Sequence, residues 1–211
     1  MTRGLIALLL LMTNTVAAYA SDWTISIGTG VAYSQSERLV IKMNDGEDIL
    51  LGDVSFDTKP FQSPPYYLIK IGRFMQESDM GFEFEFIHHK VYADLDSDPH
   101  PQVTRLKVTD GYNLVYFNFI DQIAPKWIAR LGVGGVIVHP DVIIDGKRTH
   151  GGYDLSGYSA QVAIEREMFA LEHVAFSVEA KLTYSDASVA IAQGSFDLKN
   201  KALHLVAQAK F

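Results

Sequence analysis

Trp23, Ile25, Ile27, Thr29, Val31 and Tyr33 occupy one side of a two-residue repeat; Thr24, Ser26, Gly28, Gly30, Ala32 and Ser34 occupy the other. Such alternation predicts a strand with one apolar face and one small or polar face. The pattern returns along the chain. Phe82, Phe84 and Phe86 alternate with Glu83 and Glu85, and Val115, Phe117 and Phe119 alternate with Tyr116 and Asn118. Trp127, Ala129, Leu131 and Val133 oppose Arg130, and Val178, Ala180 and Leu182 oppose Glu179 and Lys181. Leu203, Leu205, Ala207, Ala209 and Phe211 close the series, with His204, Gln208 and Lys210 between them. Strands are predicted over 23–34, 66–74, 81–92, 103–119, 126–138, 153–165, 174–184 and 203–211. Short turns fall at 76–79, 121–125 and 166–172, and longer connections at 35–65, 94–102, 139–152 and 185–198. Asn44-Asp45-Gly46 predicts a hairpin projecting from the first long connection.

Eight alternating strands with short turns on one side and long loops on the other predict an eight-stranded antiparallel up-and-down transmembrane β-barrel over 21–211. A soluble lipocalin-like barrel is the rival, with the apolar face turned inward. The aromatic ends of the first strand and its small opposite face favour the membrane form. A last strand ending on Phe211 resembles the closing strand of bacterial outer-membrane barrels, and that likeness implies recognition by the barrel-assembly machinery.

The first twenty residues add the address. Arg3, the short apolar run Gly4–Met12 and Ala18-Tyr19-Ala20 form a secretory signal pattern over 1–20. The apolar run is too short to span a bilayer as a helix. Together these predict location in the outer membrane of a Gram-negative cell, as a monomer in contact with outer-membrane lipid and lipopolysaccharide. The chain has no cysteine, which removes disulfides, thiolate metal sites and a lipoprotein anchor. Its net charge of -7 argues against a nucleic-acid partner.

Two constellations carry candidate chemistry. Lys70, Glu83, Glu85, Arg130, Glu165, Glu179 and Lys181, with His204 and Gln208, are expected on the inward face. Mixed charge at that density predicts a buried ion-pair network rather than a conducting channel. A second group is expected at the outer rim: His88, His89, Lys107, Asp110, Asn113 and His139. His88, His89, Asp110 and His139 are candidate ligands for a divalent or redox metal ion, because imidazole and carboxylate are suited to one. Polar loop tips give the same composition without a metal.

Lys90-Val91-Tyr92-Ala93-Asp94, Thr109-Asp110-Gly111-Tyr112-Asn113-Leu114, Arg130-Leu131-Gly132-Val133-Gly134-Gly135 and Glu179-Ala180-Lys181-Leu182-Thr183-Tyr184 resemble segments of the rhizobial lipid A oxidase-like group. The resemblance spans about 80 to 211 and implies oxygen-dependent oxidation of the proximal glucosamine of lipid A. The group brings no catalytic assignment with it; on residue type and position, His88, His89, Asp110, Asn113 and His139 are the candidate catalytic set. No His is followed two residues later by Ser, unlike the lipid A deacylase pattern, and no amphipathic helix precedes the first strand, unlike the palmitoyltransferase pattern. The expected function is a lipid A-modifying enzyme at the rim. The alternatives are a non-enzymatic envelope-stabilising or adhesion protein, and then a small-solute channel.

Overall fold

A computed structural model describes residues 23–96 and 99–211, with the side chains of Thr109 and Asp110 left undescribed. The signal segment 1–20 lies outside the described residues. The chain is all-β, in thirteen strands: β1 (Thr24–Ser34), β2 (Glu37–Met43), β3 (Ile49–Val54), β4 (Phe56–Asp57), β5 (Tyr67–Phe74), β6 (Met80–Ala93), β7 (Val103–Ala124), β8 (Trp127–Val138), β9 (Pro140–Ile144), β10 (Lys147–His150), β11 (Asp154–Ala170), β12 (Ala175–Ile191) and β13 (Gly194–Lys210). All belong to one sheet, ordered β10-β9-β7-β8-β11-β12-β13-β1-β5-β6-β4, with β2 and β3 beside β13 and a further β6–β7 pairing.

The expected eight-stranded up-and-down transmembrane barrel is corrected by this count and connectivity. The sheet holds thirteen strands, and five of them fall in the segments read as longer connections, β2 and β3 as the hairpin expected there. β2 and β3 form the hairpin around Gly46, whose φ of +92° suits the turn. β9 and β10 are joined by Asp145-Gly146, where both φ values are positive (48° and 74°), as a tight right-twisting hairpin requires. β9 takes over pairing with the far part of β7 after β8 ends. The connection expected at 185–198 is only a short turn, because β12 runs on to Ile191 and β13 begins at Gly194.

That last correction has a clear physical cause. Along β12 the buried side first carries Ser177, Glu179, Lys181, Thr183 and Ser185, then Ala187, Val189 and Ile191. The pleat is unbroken, yet the apolar set changes sides. Before the switch, Val178 and Leu182 are exposed; beyond it, apolar residues are buried and Asp197, Lys199 and Lys201 of β13 are exposed. Alternation judged by hydrophobicity alone stops at the switch, although the strand continues.

The buried face thus has two zones. The far zone is an apolar core in which Leu39 and Ile41 of β2, Leu106 and Val108 of β7, Val142 of β9 and Phe196 of β13 are at most 1% exposed. The near zone is ionic. Arg130 bonds Glu83 (Nε–Oε1 2.9 Å), Glu179 (Nη1–Oε2 2.9 Å) and Glu165 (Nη2–Oε2 2.6 Å). Lys70 pairs with Glu179, and Lys181 with Glu85 and, at 3.0 Å, with Glu179. Asn118 and Gln161 donate to Glu85 at 3.0 and 2.6 Å. Between the zones, Tyr66 and Thr183 flank the two ring nitrogens of His204, each at 3.0 Å.

Glycine keeps this interior fitted. A Cβ on Gly132 would sit 2.0 Å from Asn118 Oδ1 and 2.9 Å from Gln161, so any larger residue displaces the amides that hold Glu85. Arg130 is the hub, and removing it strands three carboxylates. Arg130→Met is expected to destabilise the fold by about 3–5 kcal/mol, the cost of breaking a buried pair by deleting one partner. Denaturant titration of the refolded protein checks this, and an unchanged midpoint contradicts the hub role.

Candidate functional site

The register of the sheet builds a row on the face opposite the ion pairs. Tyr67 of β5 lies across from His88 of β6, His88 from Asn113 of β7, and Asn113 from Ile137 of β8. Alternation places these four side chains on the same face as Phe82, Phe84, Phe86, Phe117 and Val133. His88 stacks on Tyr67, with ring centroids 5.0 Å apart and planes at 17°. Its Nδ1 donates to Asn113 Oδ1 at 2.8 Å. With Pro64, Phe86 and Tyr153, the row lines an open cleft of about 650 Å³.

Each part has a local cause. Pro64 and Pro65 end the preceding connection and aim Tyr66 and Tyr67 into β5. Gly111, with φ +139°, follows Asp110 where the β6–β7 register jumps from His89↔Tyr112 to Val91↔Val108. A Cβ there would stand 2.0 Å from the Asn113 amide, so glycine leaves the space that amide occupies. Tyr153 stacks on His139 at 4.7 Å, and His139 meets His150 edge-on at 4.8 Å.

The expected site residues therefore separate. His88 and Asn113 share the cleft, and His139 reaches it through Tyr153. His89 points to the opposite face, where its ring lies 5.2 Å from His204 and 5.5 Å from Tyr112. Adjacent residues on a strand face opposite ways, so no single ion takes both His88 and His89. Among the described residues, no group of three or more His, Asp or Glu could hold a metal ion. The expected set of four ligands does not fit one ion. Asp110 lies in β7, with its side chain outside what is described.

Lys107 sits higher than the cleft, opposite Tyr92. Residue type alone did not single out Tyr67, Tyr153 or His150. Tyr67 follows a Pro-Pro pair at a strand start, which was the available signal; the other two join the site only through the β9–β10 hairpin.

Above the cleft, Asp141 fixes that hairpin. Arg148 donates to it from Nε (2.6 Å) and Nη2 (3.0 Å), and Arg105 of β7 from Nη1 (2.9 Å). Burial pushes this carboxyl up, but the hydrogen bonds from Arg148 and Arg105 outweigh it and hold it below the usual aspartate range. A depressed carboxylate contributes stability above its unfolded value, near pH ~3.9, that is lost as pH falls through the folded one. Amide exchange at Val142 and Ile143 is expected to stay slow at pH 6 and to accelerate below about pH 4 relative to β12, beyond the intrinsic pH effect; a constant ratio contradicts the clamp. Gly111→Ala is expected to displace the Asn113 amide and free the His88 ring, read as a changed His88 ring resonance in NMR with the sheet otherwise intact.

Comparison with family models and with curated proteins finds no match to this chain, so the resemblance to the rhizobial lipid A oxidase-like group finds no support there. Solved structures of similar shape exist at low identity. Ail, the attachment invasion locus protein of Yersinia pestis, is 11% identical, with a TM-score of 0.46 over 90% of this chain and 99% of that one. Neisserial surface protein A is 12% identical, with a TM-score of 0.44 over 89% and 95%. The outer membrane protein OprG from Pseudomonas aeruginosa is 10% identical, with a TM-score of 0.43 over 92% and 97%.

Proposed function

We propose that this chain is an outer-membrane protein with a non-enzymatic, envelope-stabilising role, exercised by holding lipid headgroups at its outer rim. The position of the Tyr67–His88–Asn113–Ile137 row carries this reading. On β5 to β8, rows of Ile69, Ile71, Phe84, Val115, Phe117, Leu131 and Val133 present exposed apolar side chains. A face of this kind is stable against lipid and costly against water. The row marks its upper edge, where apolar side chains give way to phenol, imidazole and amide. A headgroup lies at that height, with its acyl chains running down over the phenylalanines.

The opposite edge is marked in the same way. Trp23 packs edge-on against Phe82 at 6.0 Å and lies 5.8 Å below the Arg73 guanidinium, and Arg166 lies 5.1 Å from the Trp127 ring. Aromatic rings paired with cations suit a membrane–water boundary. The interior supports a role other than conduction, since the charged groups of the ionic zone pair with one another and the far zone is packed apolar core.

Deleting the gene is expected to raise uptake of a hydrophobic dye by intact cells. The wild-type gene should reverse this, whereas a Tyr67→Ala/Asn113→Ala variant that still reaches the outer membrane should not. Unchanged uptake on deletion overturns the reading. The gathering of His88, Asn113, Tyr153 and His139 at one cleft favours a second reading, modification of a lipid headgroup held there. A mass change in lipid A that depends on this gene under aeration would establish it in place of the first.

A further inference from the structure

Above the cleft, the same side of β6 continues through Lys90 to Tyr92. Three ammonium groups converge on the Tyr92 ring: Lys59 at 5.6 Å from its centroid, Lys90 at 5.8 Å and Lys107 at 5.0 Å. Three like charges around one ring repel, and the ring quadrupole offsets only part of that cost. Lys90 is buried and donates to the Gln62 carbonyl at 2.8 Å, which pins the segment carrying Lys59. Among the described acids, Asp141 is bonded to Arg105 and Arg148, Asp57 pairs with Lys59 at 3.7 Å, and Asp141 and Asp96 act on Lys107 through space. Lys107 has no carboxylate within ion-pair distance among the described residues. Burial, together with the charges of Arg105 and Lys59, lowers the affinity of its amine for a proton, and a bound anion would reverse this.

We propose that Lys59, Lys90 and Lys107 around Tyr92 form a binding site for the phosphate group of an outer-leaflet glycolipid seated in the cleft below. The inference rests on the lipid-facing reading of the β5–β8 face and adds the chemistry of the headgroup. One strand face runs from Phe84 through His88 to Tyr92, matching an amphiphile ordered as acyl chain, sugar and phosphate. His88 and Tyr92 are four residues apart, about 13 Å along a strand, comparable to the span of a two-sugar headgroup. Tyr67 and Tyr153 offer ring faces to sugar C–H groups, and Asn113 and His88 offer hydrogen bonds to hydroxyls. Free inorganic phosphate would use the lysines alone and gain nothing from the cleft, so the site is assigned to a lipid.

The full-length mature protein, reconstituted in phosphatidylcholine nanodiscs, tests this by native mass spectrometry. The probes are an acylated glucosamine disaccharide bearing two phosphates, the same glycolipid without phosphate, and inorganic phosphate as competitor. The phosphorylated glycolipid is expected to bind at least about tenfold more tightly than its phosphate-free form. Lys59→Gln/Lys107→Gln should erase that difference while leaving the phosphate-free form bound as before; Lys90 is kept because it anchors Gln62. Equal binding of the two glycolipids, an unaltered preference in the double variant, or displacement by equimolar inorganic phosphate overturns the proposal. Failure of both glycolipids to bind a correctly inserted protein would instead sink the lipid-holding reading beneath it.

Discussion

The pleat of the β-strand is the constraint on which the rest depends. Successive side chains must face opposite sides of the sheet. Eight long strands, each hydrogen-bonded to neighbours on both sides, extend that choice over the whole molecule. What can stand on each side then follows from its surroundings. The near zone has exposed apolar residues outside and charges within; the far zone has charged residues outside and apolar ones within. β12 and β13 pass through both zones without a break in register. One uninterrupted ladder therefore carries both patterns, and the polarity of the sequence inverts between the two zones.

The ionic zone is the consequence of turning apolar residues outward. Lys70, Arg130, Lys181 and Lys210 face Glu83, Glu85, Glu165 and Glu179, so positive and negative side chains balance. Balance matters more than number, because an unmatched buried charge costs several kcal/mol while a matched and hydrogen-bonded one roughly breaks even. Arg130 spans three carboxylates and links β8 to β6, β11 and β12. The network selects this arrangement of strands over slipped ones, since a one-residue slip would move every charge to the apolar side.

The chemistry gathers where the two zones meet. Tyr67, His88 and Asn113 stand in one row, each amphipathic or polar enough for a boundary. The lysines around Tyr92 stand further along the same face. The order along β6 is an order of polarity. The β9–β10 hairpin completes the cleft by bringing His150 and Tyr153 against His139, and the Arg148–Asp141–Arg105 clamp holds that hairpin in place.

The sequence by itself determined the all-β class, most positions of the long strands, and which residues of each strand share a face. The alternation around Phe82–Phe86 and the charges at Glu83, Glu85, Arg130 and Glu179 could be read directly, because a two-residue period is a local property. It placed His88 and Asn113 at the same rim, since each lies well beyond the short turn, 76–79 or 121–125, at the other end of its strand. The tertiary structure decided what local periodicity cannot carry. The strand count rose to thirteen because the expected β2–β3 hairpin, the β9–β10 hairpin and β4 all join the sheet, through the distant pairings β2–β13, β9–β7 and β4–β6. The stretch 185–198 joined the ladder because its apolar side follows the far core and not the exposed apolar pattern of the near zone. His88 and His89 parted because the pleat sends neighbours to opposite faces, and Lys59, Lys90 and Lys107 met because β4, β6 and β7 lie side by side only in the folded sheet.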